Sequence, residues 1–173
     1  MTEQKPNLHD DAFWETPTQE PLAPTVGRRS GRRPSRTERV ETRGRARALQ
    51  AVYAADMRDL SQLTRIALTV FDDLAIESDE RAFAEKLVNT VAMRGAELDA
   101  AITEVTANWR LERIGAIERS VLRVAAAELA RGDTPVKVVL QEAVRLAERY
   151  GTERSARFVN GVLDAYARRL GKL

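Results

Sequence analysis

From about residue 37 onward, apolar side chains recur every three or four positions, the period of a helix with one buried face. The first helix is expected to begin near Ser35 or Thr37, where Ser35 and Glu38 stand at capping-box spacing. It would turn Leu49, Val52 and Tyr53 inward and spread Arg43, Arg45, Arg47 and Gln50 over the rest of its surface. A second helix is predicted from Ser61 to Leu74, with Leu63, Ile66, Val70 and Leu74 inside. A third, long one starts at Ser78 and carries Phe83, Leu87, Val91, Leu98, Ile102 and Val105 inward. Gly95 interrupts it, as a point of close packing or a mild weak point.

The segment Leu111 to Arg131 reads as a short first turn followed by a helix, with Ile114, Ile117, Val121, Leu122, Val124, Ala125 and Leu129 buried. Gly132 ends it at the position where a left-handed residue closes a helix. Thr134 as cap and Pro135 as first helical residue open the next helix, which stops at Tyr150 and Gly151. Thr152 caps a last helix running to about Leu170, and Gly161 in its interior suggests that another backbone passes close by. No alternating strand pattern of useful length occurs. The fold class is all-α, a compact bundle of six or seven helices behind a disordered amino-terminal tail.

That tail is residues 1–36, followed by a helical domain over 37–173. It holds five of the six prolines, mixed with small and polar residues. Phe13 and Trp14 make a small apolar spot within it, read as inert. The chain has no cysteine, and its one histidine, His9, lies in the tail. Metal sites, thiol chemistry and a histidine base are therefore not expected. No apolar run is long enough to cross a membrane, and the amino terminus lacks the apolar core of a secretory signal. A cytoplasmic location is expected.

Charge sharpens the picture. Residues 1–26 hold one base and five acids, a net −4, whereas residues 27–47 hold nine arginines and two glutamates, a net +7. The remaining residues are close to neutral, with eighteen bases and nineteen acids. Positive charge blocked in this way points to a polyanion. Every base in the block is arginine, which grips phosphate bidentately and stacks on bases where lysine acts as a point charge. A general preference for arginine explains the residue type, since the chain has only four lysines, but not the clustering.

Catalytic signatures are absent as a class: no glycine-rich phosphate loop, nucleophile elbow or paired-histidine metal motif occurs. Glu112, Glu118, Glu128, Glu142, Glu148 and Glu153 read as solvated, salt-paired positions. No cofactor is implied, and the chain is not expected to be an enzyme.

The carboxy-terminal half carries a specific run. It reads Asn108-Trp109-x-Leu111-x-Arg113-Ile114, then Leu122-Arg123, Glu128-Leu129 and Pro135-x-Lys137-Val138-Val139-x-Gln141-Glu142-Ala143-Val144. Tyr150-Gly151-Thr152 and Phe158-Val159-Asn160-Gly161-Val162-Leu163-Asp164 close it. With Arg43-x-Arg45-Ala46-x-Ala48-Leu49-Gln50-Ala51-Val52-Tyr53 at the front, it resembles the NusB family of bacterial transcription antitermination factors over roughly residues 40–170. The resemblance implies two three-helix subdomains packed crosswise. It implies binding of single-stranded boxA-type RNA together with the ribosomal small-subunit protein NusE, in the transcribing RNA polymerase complex. On the matching positions, Arg43, Arg45, Arg47 and Gln50 would contact RNA from the first helix, joined by Arg157 and Phe158 at the start of the last. Tyr53 and Glu118 would meet the protein partner. Arg154 stands where several relatives carry an acid, so its contact with phosphate is a separate expectation.

Periodicity reads some of these residues differently. By spacing alone Phe158 and Tyr53 belong to the core, and Trp109 is read as core with its indole N–H on a carbonyl. Asn160 is read as a helix-packing hydrogen-bonder, and Lys137 and Glu142 as a pair one turn apart. Two other classes of function stand beside antitermination. One is the RNA-binding accessory domain of a ribosomal RNA cytosine methyltransferase, against which the length of the chain argues. The other is a purely structural helical module. The free protein is either a monomer or a homodimer that hides the RNA surface.

Overall fold

A computed structural model describes residues 38–106 and 109–173. The tail, Ser35, Thr37 and Asn108 lie outside the described residues. Within them the chain forms six α-helices: α1 Val40–Asp56, α2 Leu63–Asp73, α3 Ser78–Val105, α4 Ala116–Arg131, α5 Val136–Tyr150 and α6 Glu153–Arg169. Single 3-10 turns at Leu60–Gln62 and Leu111–Arg113 lead into α2 and α4. Helices α1, α2 and α3 pack on one another, as do α4, α5 and α6. The two groups join where α1 and α3 meet α4, and where α3 meets α6. No strand occurs among the described residues.

Helix α4 lies at the centre, and its sequence explains why. Every residue from Ser120 to Leu129 is buried, so this helix has no solvated face along its middle. Ala125, Ala126 and Ala127 keep its girth small where neighbours close in from both groups. Gly132 ends it at φ 77°, a left-handed conformation costly for any residue with a Cβ, and donates its N–H to the Glu128 carbonyl at 3.2 Å. Helix α6 begins with a reciprocal cap. The Thr152 hydroxyl accepts from the Ser155 N–H at 3.2 Å, and the Ser155 hydroxyl accepts from the Thr152 N–H at 2.9 Å.

Charged groups also sit between the two halves. Arg45 of α1 and Glu128 of α4 are 4% and 2% exposed, and they pair across the interface. Asp56 of α1 binds both Arg119 and Arg123 of α4, and Arg123 reaches on to Asp99 of α3. Such pairs are stable because each charge has several donors or acceptors in place of water.

Several expectations are corrected by this packing. Glu38 and Arg39 precede the first helix, and Arg39 is its extended N-cap, so α1 starts later than Ser35 or Thr37. In α2 the buried face is Leu63, Ala67 and Phe71; Ile66 and Val70 are half-buried, and Leu74 is exposed. Pro135, not Thr134, holds the N-cap position of α5, because the Thr134 hydroxyl donates instead to Glu128 at 2.7 Å. Glu128 and Glu142 are buried rather than solvated, and Glu142 pairs with Arg145 rather than with Lys137. Trp109 is 57% exposed, outside the core. Asn160 is exposed, and a Cβ on Gly161 would meet nothing within 4 Å, so neither marks a close helix contact. A Cβ on Gly95 likewise meets open space. The close approach is at Gly44, where a Cβ would stand 2.8 Å from the Phe83 ring and 3.1 Å from the Glu80 carbonyl.

Candidate nucleic-acid interface

Along α1 the arginines divide by face. Arg45, Leu49, Val52 and Asp56 recur at steps of four, three and four and turn toward α4. Arg43, Arg47 and Gln50 stand two positions off that line, about 200° around the helix, on a half-exposed stripe. Arg43 donates from Nε to Glu80 at 2.9 Å, from Nη1 to the Glu38 carbonyl at 2.8 Å and from Nη2 to Glu77 at 3.2 Å. Arg47 donates to the other oxygen of Glu80 at 2.5 Å and to the Gln50 side chain at 3.1 Å. Burial pushes the Glu80 carboxyl up, but hydrogen bonds and charge from Arg43 and Arg47 outweigh it and hold it below its ordinary value.

Arg45 has a different place from its neighbours. Its Nε and Nη2 donate to both oxygens of Glu128, at 2.8 and 2.6 Å, and its Nη1 lies 3.8 Å from Glu142. Phe83 stacks beneath its guanidinium, 5.1 Å from the ring centroid. The expected role of Arg45 in RNA contact therefore meets a side chain enclosed by protein.

At the start of α6, Arg154 is exposed and has no acidic partner among the described residues. Arg157 projects into solvent and pairs with Glu153 at 2.5 Å, both side chains being 80% exposed. Such a pair is weak and readily exchanged for another anion. Phe158 is half-buried and meets Trp109, with ring centroids 6.3 Å apart and planes tilted by 51°. That contact brings the α3–α4 connection, with exposed Arg110 and Arg113, beside the first turns of α6. Neither of these arginines pairs with an acid among the described residues. Sequence reading missed Trp109 as a surface group. The available signal was its position between two helical periods, followed by Arg110 and Arg113.

Tyr53 is half-buried on α1. Glu118, in the first turn of α4, accepts a hydrogen bond from the Ser155 hydroxyl at 2.5 Å and so ties α4 to the capped start of α6. One turn along α1 from Tyr53, Asp56 is held below the ordinary carboxylate range. Burial raises it, and hydrogen bonds from Arg119 and Arg123 more than compensate. Among the described residues no group of histidine, cysteine or carboxylate side chains could hold a metal ion, and no helix is long and apolar enough to cross a membrane.

The chain as a whole is similar to known proteins. The NusB family model matches residues 42–168. The transcription antitermination protein NusB of Anaeromyxobacter dehalogenans is 43% identical over 135 residues, covering 73% of this chain and 89% of that protein. The protein of the same name from Sorangium cellulosum is 43% identical over 131 residues, covering 75% and 93%. The solved structure of Thermotoga maritima NusB superposes with a TM-score of 0.68 at 30% identity, covering 74% of this chain and 90% of its own. A chain in the crystal structure of antitermination factors NusB and NusE in complex with dsRNA superposes with a TM-score of 0.70 at 28% identity, covering 75% and 97%. With its six-helix fold, its arginine-bearing first helix and this match through the start of α6, the chain belongs to the NusB family.

Proposed function

We propose that this protein is a transcription antitermination factor that binds single-stranded boxA-type RNA together with the ribosomal protein NusE, on transcribing RNA polymerase in the cytoplasm. It is a binding protein and not an enzyme. The observation that carries the reading is that the family match over residues 42–168 takes in both the arginine stripe of α1 and the Phe158 turn of α6. The methyltransferase alternative is disfavoured, because the matched NusB proteins are covered over 89% and 93% of their own length.

The RNA-binding domain is residues 37–173, with residues 1–36 a tail outside it. Its RNA surface comprises Arg43, Arg47 and Gln50 on α1 and Arg154, Arg157 and Phe158 on α6. Glu80 holds Arg43 and Arg47 by one edge each, which fixes both guanidiniums while their side chains remain 27% and 30% exposed. Phosphate oxygens can take the remaining N–H groups, and the pair with the 80% exposed Glu77 is easily displaced. Phe158 offers a face for a base, as single-stranded RNA recognition requires. Tyr53 and Glu118 form part of the surface for NusE, where Glu118 is fixed by Ser155.

The test is filter binding of the full chain to boxA-like and scrambled RNA, with and without NusE. Preference for the boxA-like RNA, tightened by NusE, is expected. Equal and weak binding to both RNAs would leave only a structural helical module.

A further inference from the structure

The contact between Trp109 and Phe158 extends the basic surface onto the α3–α4 connection, which the expected RNA contacts do not include. We propose that Trp109 is a stacking platform for one unpaired nucleobase, with Arg110 and Arg113 holding the flanking phosphates; this rests on the RNA-binding reading above.

Three observations carry it. First, an indole that is 57% exposed is unusual for a residue of this size, and here its exposure is built in rather than incidental. The Trp109 backbone N–H donates to the Thr106 carbonyl at 3.3 Å, and the Thr106 hydroxyl, shared with the Thr103 carbonyl at 3.0 Å, reaches the Trp109 carbonyl at 3.2 Å, which ties Trp109 to the end of α3. Second, the stretch that follows is anchored. Leu111 and Ile114 are buried, and Arg119 Nη1 donates to their carbonyls at 3.3 and 2.8 Å while its Nε and Nη2 bind Asp56. Arg119 is thus a positioning residue for the platform, and little ordering entropy remains to oppose ligand binding. Third, arginines outnumber acids beside the ring, with Glu112 the one exposed carboxylate in the Leu111–Arg113 turn. Arg110, Arg113 and Arg154 are exposed without acidic partners among the described residues, and Phe158 supports the indole from one side at 6.3 Å. An exposed aromatic ring among cations suits a base and its phosphates.

The experiment compares parent, Trp109→Ala and Trp109→Phe full-length chains in binding boxA-like RNA, and repeats each titration with RNAs carrying one abasic nucleotide in turn. Loss of one stacked base is expected to weaken Trp109→Ala by about 5- to 150-fold, while Trp109→Phe keeps most of the affinity. One abasic position should weaken the parent and leave Trp109→Ala unchanged. Equal affinity of parent and Trp109→Ala overturns this proposal and leaves the RNA-binding reading standing, as does a Trp109→Ala loss spread evenly over all abasic positions. Failure of the parent itself to bind RNA overturns both. Melting curves of the variants report on folding, and Trp109→Phe retains a ring should the alanine variant unfold.

Discussion

Arg45 of α1 and Glu128 of α4 form a two-pronged ion pair at 2.8 and 2.6 Å inside the junction between the two three-helix groups. Thr134 completes the carboxylate at 2.7 Å, and Glu142 lies 3.8 Å from the guanidinium. An arginine that sequence places in an RNA-binding stripe thus serves to lock α1 against α4. Arg45→Ala should cost about 3–5 kcal/mol, because it strands a buried carboxylate. The paired change Arg45→Met with Glu128→Leu should recover most of that in chemical denaturation. It should also bind RNA as the parent does. A large affinity loss in the folded double variant would return Arg45 to the RNA surface.

Acid should loosen the same junction at Asp56, and the α1–α3 contact at Glu80. Asp56 and Glu80 both titrate below their unfolded values, with burial opposing the shift and arginine partners overcoming it. A depressed carboxylate contributes stability that is complete above its unfolded pKa, about 4, and is lost as pH falls through the folded value. Stability should therefore drop on acidification below about pH 4. Asp56→Asn should be less stable at neutral pH by roughly 3 kcal/mol and show a flatter acid limb. Denaturant melts from pH 7 to 3 measure both, and an acid limb as steep as the parent's would refute this assignment.

Two glycines should respond in opposite senses to alanine. A Cβ at Gly44 meets the Phe83 ring at 2.8 Å and the Glu80 carbonyl at 3.1 Å, and the carbonyl cannot swing aside. Gly44→Ala is expected to destabilise by about 1–3 kcal/mol through overpacking. Gly161 faces open space inside α6, so Gly161→Ala should stabilise by up to about 1 kcal/mol through helix propensity. Thermal melts of the two variants suffice, and a shift of the same sign in both would contradict the packing.

The helices were legible where local chemistry decides: the Gly132 stop, the Thr152 cap and the Leu111 turn before α4 are all present. The errors share a physical origin, since they concern what a residue meets from a distant element. Thr134 has the chemistry of a cap, yet its hydroxyl goes to Glu128, whose burial no local pattern announces. Gly161 and Gly44 look alike in sequence, and only the path of α3 makes Gly44 the crowded one. Trp109 is read as core with its indole N–H on a carbonyl, whereas it stands 57% exposed against Phe158 at the surface. For the site, charge clustering pointed to the arginines of α1. The division between Arg45 facing α4 and Arg43 and Arg47 facing Glu80 needed the fold.

The most direct measurement is the salt dependence of RNA affinity in the presence of NusE, for the parent and for Arg47→Gln combined with Arg157→Gln. One substitution falls in each half of the proposed surface, and Arg43 still pairs with Glu80 in the variant. Each lost phosphate contact lowers the log–log slope by about 0.7 for a single strand, so the double variant should bind more weakly with a slope shallower by about 1.4. Unchanged affinity and slope would contradict the claim that α1 and α6 together hold the RNA.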